Sequence, residues 1–231
     1  MRRRHQCSLL SGVRWQLVAI LIFCLTGVVA DRSSCQPLAS GRGKFLGGSS
    51  SYPVWANFNR YWNQITPGND GKWGPVEGTR GGFSWTNLDA IYNYATANGL
   101  LFKEHALVWG NQQPSWITGL DSAQQRDEIA KWIDTVAQRY GYTGLVDVVN
   151  EPFHAPPSYK DALGGDGATG WDWVITAFQL ARQAYFPGVK LLLNEYNILH
   201  DNSATTNYIN LITLLKDRGL IDGVGIQGHY F

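Results

Sequence analysis

From Lys44 onward, apolar strand-like runs and helix-like segments alternate with hardly a linker between them. That order constrains the fold more than anything else in the chain. Phe45–Gly48 and Trp62–Pro67 read as the first two strands, and Leu101–Trp109 as the third. A helix with Leu88, Ile91, Tyr92 and Ala95 on one face, capped by Asn87, is expected between the second and third, ending at Asn98-Gly99. Ser122-x-x-Gln125 has the form of a capping box, and Ile129, Ile133, Val136 and Tyr140 then recur at helical spacing. Val146–Phe153 carries the fourth strand, and Val189–Leu193 and Gly223–Ile226 the fifth and sixth, separated by helices ending near Tyr185 and Arg218. Alternating β and α units with near-continuous apolar strands imply an α/β protein whose parallel sheet is covered by helices. A doubly wound sheet and a barrel both satisfy that pattern. The barrel is favoured, because chemistry-capable side chains recur at the ends of so many strands, and no Gly-rich phosphate loop follows the first strand.

The N-terminus reads differently. Arg2, Arg3, Arg4 and Arg14 precede an apolar run over Leu17–Leu25 and the small-residue end Val28-Val29-Ala30. This is the form of a secretory signal peptide cut after about Ala30, and the run is too short for the roughly 20 residues that span a bilayer. The whole chain has 19 Lys and Arg against 18 Asp and Glu; the leader holds four of the arginines and no acid, so residues 31–231 are slightly acidic. No basic stripe is left to suit nucleic acid or an anionic membrane. Of three cysteines only Cys35 lies beyond the leader, and no Asn-x-Ser/Thr acceptor does, so neither an internal disulfide nor N-glycosylation is expected there. The length suits one domain.

Function is written at the strand ends. Val146-Asp147-Val148-Val149 is a β-branched run that halts at Asn150-Glu151-Pro152. Proline gives no N–H to a ladder, so the strand should stop near Glu151 and present that acid at a strand mouth, where ligands bind in parallel α/β architectures. Neighbouring strands end in Asn69, Lys72 and Trp73; in His105, Trp109 and Gln112; in Asn194, Glu195, Tyr196 and Asn197; and in Gln227, His229 and Tyr230. Amides exchange hydrogen bonds with hydroxyls and aromatic faces pack on C–H faces, so the set suits a neutral, polyhydroxylated ligand. The ten tryptophans exceed what a core needs, although Trp85 and Trp132 lie on helical segments and read as packing residues. His105 shares strand parity with Trp109, as Gln227 does with His229, so each pair should point to one side. A metal held by His105, His229 and Glu151 is disfavoured by their spacing.

Five segments together resemble glycoside hydrolase family 10: Ile65–Trp73, His105–Trp109 with Gln112–Trp116, Asp147–Glu151, Asn194–Asn197 and Gly223–His229, in the expected order from about Lys44 to Phe231. The resemblance implies a (β/α)₈ TIM-type barrel, of which about six of eight units are present, and retaining hydrolysis of β-1,4-xylan by a secreted, monomeric enzyme. It implies no cofactor, no metal, and neither nucleic acid nor membrane as partner. Carried over by position, Glu151 looks like the general acid/base, whose pKa burial and nearby negative charge would raise. Asn150 resembles the amide that bonds the sugar 2-hydroxyl. Asn69 and Lys72 resemble glycone-side binders; His105, Trp109 and Gln112 resemble residues enclosing the sugar beside the scissile bond. Gln227 and His229 resemble the pair that contacts the sugar and orients the nucleophile, and Tyr196 is expected as a further substrate contact.

The sequence also departs from the family pattern. A Glu is usual where Gly68 stands, a His at Gly110, and often a Trp at Val146. A retaining mechanism further needs a second carboxylate about 5–5.5 Å from the acid, which in the family ends strand seven. Residues 31–231 are therefore expected to be the N-terminal part of such a barrel, without xylan hydrolysis of their own. Glu195 matches a position the family uses structurally and is disfavoured as a stand-in. Two alternatives remain open: a β-glucanase or mannanase of a related barrel family, and an inactive sugar-binding protein.

Overall fold

The structure, a computed structural model, describes residues 36–229. The proposed leader, Cys35 and Tyr230 lie outside those residues.

Six strands form one parallel sheet in sequential order that curls into half a barrel: β1 (Gly47–Ser50), β2 (Gln64–Pro67), β3 (Leu101–Val108), β4 (Leu145–Asn150), β5 (Lys190–Tyr196) and β6 (Gly223–Gln227). The helices are α1 (Phe58–Tyr61), α2 (Trp73–Val76), α3 (Thr86–Ala97), α4 (Ser122–Arg139), α5 (Asp172–Ala184) and α6 (Asn202–Lys216). Sequential order with a helix after each strand from β2 to β5 is the barrel alternative, and a doubly wound sheet is excluded because its strand order must reverse.

Several boundaries moved from their sequence-based positions for local reasons. β1 sits two residues further on than expected, leaving Phe45 and Leu46 half exposed. The Gly47-Gly48 pair sets its place: Gly47 pairs with Gln64, and a Cβ there would collide with the Gln64 carboxamide. The α4 capping box is built one residue earlier than the sequence suggested. The Asp121 carboxylate accepts from Gln124 N–H at 2.9 Å, and the Gln124 side chain accepts from Asp121 N–H at 3.3 Å. Asn87 does not cap α3; its side chain donates to Asp70 at 3.0 Å and ties the helix to the segment after β2. α3 does end as expected, with Gly99 at φ +62°, a conformation glycine takes without strain.

The core lies between sheet and helices. Ile129, Trp132, Ile133 and Val136 of α4 and Val174, Ala177, Phe178 and Ala181 of α5 are buried together with Val146, Val148 and Val149 of β4. Trp132 lies in a stack between Trp73 and Trp85, with ring centroids 5.8 and 6.1 Å away, and donates its indole N–H to Leu107 O at 3.0 Å. Tyr208 on α6 donates its hydroxyl toward Leu193 O and Gly225 O at 2.7 and 2.9 Å, pinning that helix to β5 and β6. The other side of the sheet stays open, and it carries the site.

Candidate active site

β4 delivers the acid. Beyond Asn150, Pro152 ends the ladder, and Glu151 takes φ +53°, a left-handed conformation that costs a non-glycine residue on the order of 1–3 kcal/mol and gathers at functional sites. The turn is held from both sides: Glu151 N–H donates to Asn194 O at 2.8 Å, and Glu151 O accepts from Ala155 N–H at 2.8 Å. Its carboxylate is equally fixed. Trp109 donates its indole N–H to Oε2 at 2.9 Å, and Gln227 donates to Oε1 at 3.0 Å.

Around this acid the strand ends converge on one cleft of about 670 Å³. Asn69, Lys72, His105, Trp109, Gln112, Asn150, Glu151, Gln227 and His229 all line it. Asn150 is buried, and its carbonyl accepts from Asn194 at 2.8 Å and Gln227 at 3.3 Å. Gln112, itself at φ +55°, donates to Asn69 at 3.1 Å. His229 meets Gln227 at 3.2 Å. Tyr196 is the exception among the expected contacts: it is not in the cleft wall but stacks on the His154 ring at 4.0 Å.

The electrostatics of the floor were not foreseen. Asp147, fully buried in mid-strand, receives both Lys103 at 2.8 Å and His105 Nδ1 at 2.7 Å. Burial pushes the His105 pKa down, and the Asp147 hydrogen bond opposes that. Lys72 is buried, with its ammonium donating to Gly68 O and His105 O at 2.9 Å each and lying 5.9 Å from the Trp109 ring centre. Desolvation lowers its pKa to about 8, against the pull of Glu104, Asp147, Asp70 and Glu151. Glu104 is wholly buried with neither oxygen hydrogen-bonded among the described residues, and burial pushes it up to about 8.

Two of these had sequence signals. Lys103 shares parity with His105, and an Asp within a valine run has to be paired if it is buried. Glu104 had none, because its surroundings come from Lys72 and Gly71 on another segment.

Glu195 is fully buried, and its oxygens accept from Phe153 N–H at 2.9 Å, Tyr196 N–H at 2.8 Å and His154 Nδ1 at 2.9 Å. It holds the β4 turn and cannot reach a substrate. The absence of a side chain at Gly110 also has a cause: a Cβ there would meet the carbonyls of Pro156 and Ala155, and Gly110 N–H donates to Ala155 O at 2.8 Å. Backbone of the β4–α5 loop fills the space a histidine would need. Among the described residues, no group of three or more His, Cys, Asp or Glu could hold a metal ion.

A half-barrel whose strand ends deliver an acid, amides and an indole into one cleft defines a protein of the (β/α)-barrel class. The pattern described as glycosyl hydrolase family 10 matches residues 38–231, and the chain belongs to that family. It is 43% identical over 190 residues to endo-1,4-beta-xylanase B of Cellvibrio japonicus, covering 80% of this chain and 30% of that protein. An endo-1,4-beta-xylanase of Agaricus bisporus is 32% identical over 223 residues, 94% of this chain and 66% of the relative. A solved family 10 structure from Paenibacillus barcinonensis superposes with a TM-score of 0.73 at 28% identity, covering 80% of this chain and 60% of that one. Xylanase 10C of Cellvibrio japonicus, solved as a mutant with xylopentaose, gives 0.67 at 27% identity, over 80% and 41%. The chain thus spans less than two thirds of these relatives.

Proposed function

We propose that this chain is the acid/base-bearing part of a secreted, monomeric endo-acting hydrolase of β-1,4-xylan that retains anomeric configuration. The observation that carries the reading is Glu151, held between Trp109 and Gln227 at a strained strand end inside an amide-lined cleft. Protonated, it donates to the glycosidic oxygen; ionised, it takes a proton from the water that releases the sugar. Asn150, oriented by Asn194, bonds the sugar 2-hydroxyl. Lys72 and Asn69 bind hydroxyls on the glycone side, and His105, backed by Asp147, closes over the sugar beside the bond that breaks. Gln227 and His229 receive the nucleophile, a carboxylate carried by a seventh strand that these 231 residues do not include. Glu195 is not that group, since every bond it makes is to protein backbone or His154.

The test extends the chain with the last two β/α units of the Cellvibrio japonicus relative and follows reducing ends. Release from xylan but not from carboxymethylcellulose is expected, with the β-anomer appearing first by proton NMR and loss of at least about 10²-fold in Glu151→Ala. First release of the α-anomer would overturn retention. Equal turnover of carboxymethylcellulose would favour the β-glucanase alternative, and turnover by residues 31–231 alone would overturn the assignment of the nucleophile.

A further inference from the structure

A second cleft lies apart from Glu151. It occupies about 450 Å³ between the β4–α5 loop and α6 and is walled by Phe153, Thr169, Trp171, Asn207, Asn210 and Leu214. We propose that it is a second binding site for a neutral oligosaccharide, distinct from the catalytic cleft.

Three features of the wall carry the assignment. None of the six lining residues is ionisable, and the charges that border them are already engaged, Asp172 with the Thr169 hydroxyl and Arg218 with Leu214 O; the volume is within the range of small-molecule sites. The polar groups are positioned as a pair: Asn207, Asn210 and Leu214 stand at i, i+3 and i+7 on α6 and so share one face. Neither asparagine amide has a hydrogen-bond partner among the described residues, which leaves donors and acceptors from both free for hydroxyls. Opposite them is an aromatic platform that is already fixed. Trp171 meets Phe153 edge to face at 4.9 Å and 90°, and Phe153 in turn packs on buried Tyr208 at 6.1 Å.

The position of the platform is also locked through the backbone. Trp171 N–H donates to the Thr169 hydroxyl at 3.2 Å, and that hydroxyl is bonded to Asp172 at 2.5 Å. Phe153 N–H is bonded to Glu195. Thr169 is therefore wall rather than ligand donor, and recognition falls to Trp171 and the two amides. An indole that needs no reordering, facing paired amides with no charge between them, matches the C–H face and equatorial hydroxyls of a sugar ring. An acidic or basic peptide would find no counter-charge among the six lining residues.

The choice of probe rests on the proposed function, so the experiment reads both clefts at once. The ¹⁵N-labelled chain is titrated with xylohexaose. The Trp109 indole reports the catalytic cleft, and the Trp171 indole with the Asn207 and Asn210 side-chain amides reports the second. Two independently saturating sets are expected. In the Asn207→Ala/Asn210→Ala double variant, whose exposed helical sites tolerate alanine, affinity at Trp171 should fall at least about tenfold (about 1.4 kcal/mol) with Trp109 unchanged. Saturation at Trp109 with Trp171 silent overturns the second site and leaves the catalytic reading standing. A response at Trp171 with Trp109 silent supports the second site and overturns the catalytic one. Silence at both, or unchanged Trp171 affinity in the double variant, overturns the second site.

Discussion

Glu104 makes the stability of this half-barrel depend on pH, and replacing it with glutamine should remove that dependence. The carboxyl is wholly buried on β3 with no hydrogen-bond partner for either oxygen among the described residues, and Gly71 packs closely on it: a Cβ there would lie 3.0 Å from its Oε1. Burial pushes its pKa from 4.5 to about 8, with Lys72 pulling the other way. Between those values the folded chain keeps a proton that the unfolded chain has released. Stability contributed by this group is therefore complete below about pH 4.5 and is lost as pH rises toward 8. The slope is about 1.4 kcal/mol per pH unit, which amounts to about 3 kcal/mol between roughly pH 5 and 7.5. Glutamine has nearly the shape of the protonated acid and does not titrate. Urea unfolding of parent and Glu104→Gln, followed by tryptophan fluorescence across that window, should show similar stability at the acid end and the variant gaining about 3 kcal/mol at the other. Stopping near pH 7.5 keeps Lys72, with its pKa lowered to about 8, mostly charged in the folded chain. A variant-minus-parent difference that stays constant with pH would refute the reasoning, because it would mean that Glu104 is ionised in the folded chain at all these pH values.

Asp147→Asn leaves Lys103 and His105 facing a neutral amide in place of a buried carboxylate. A loss of about 3 kcal/mol is expected in urea unfolding, and NMR titration should show the His105 pKa moving further down, since the bond that opposes its burial is weakened; an upward move would contradict the arrangement. Gly110→Ala drives a methyl into the carbonyls of Ala155 and Pro156. It should cost about 1–3 kcal/mol, read as a lower Tm, with amide shifts spreading through residues 152–158, and an unchanged Tm would show that the loop is free to move away.

Where strand and helix assignments came from strong local preference, they were legible in the sequence. β4 is the clearest case, a valine run cut by Pro152, and it ends within one residue of where proline chemistry puts it. β1 was misplaced because Gly47-Gly48-Ser49-Ser50 has little intrinsic strand preference; its extent is set by pairing with β2. Asp121 and Ser122 are both capable caps with a glutamine three residues on, and only the backbone geometry, Asp121 at φ −70° and ψ 165°, distinguishes them. α1 and α2, four residues each, are too short to show a period. At the site, side chains that end strands could be read singly, and nine of ten line the cleft. Tyr196 stands apart from those nine: it stacks on His154, which lies 42 residues away and forms no motif with it.

The two glycines that depart from the family pattern are not equivalent, and the difference bears on which end of the cleft can change. At Gly68 a Cβ would crowd the Ser51 hydroxyl, at 2.7 Å, with Ser49 and Ser50 at an ordinary 3.8 Å, and a serine side chain can rotate away. At Gly110 the obstruction is the backbone of residues 155 and 156, in the loop that begins with Glu151 and is strapped to the β3 side again where Gln113 exchanges hydrogen bonds with Ser158 at 2.6 and 3.0 Å. Making room there means shifting the segment whose Ala155 N–H bonds the Glu151 carbonyl and thereby helps hold the acid in its left-handed conformation. The Gly68 end of the cleft can gain a side chain without moving the segment that holds Glu151. The Gly110 end cannot, because the glycine is part of what fixes the position of the acid.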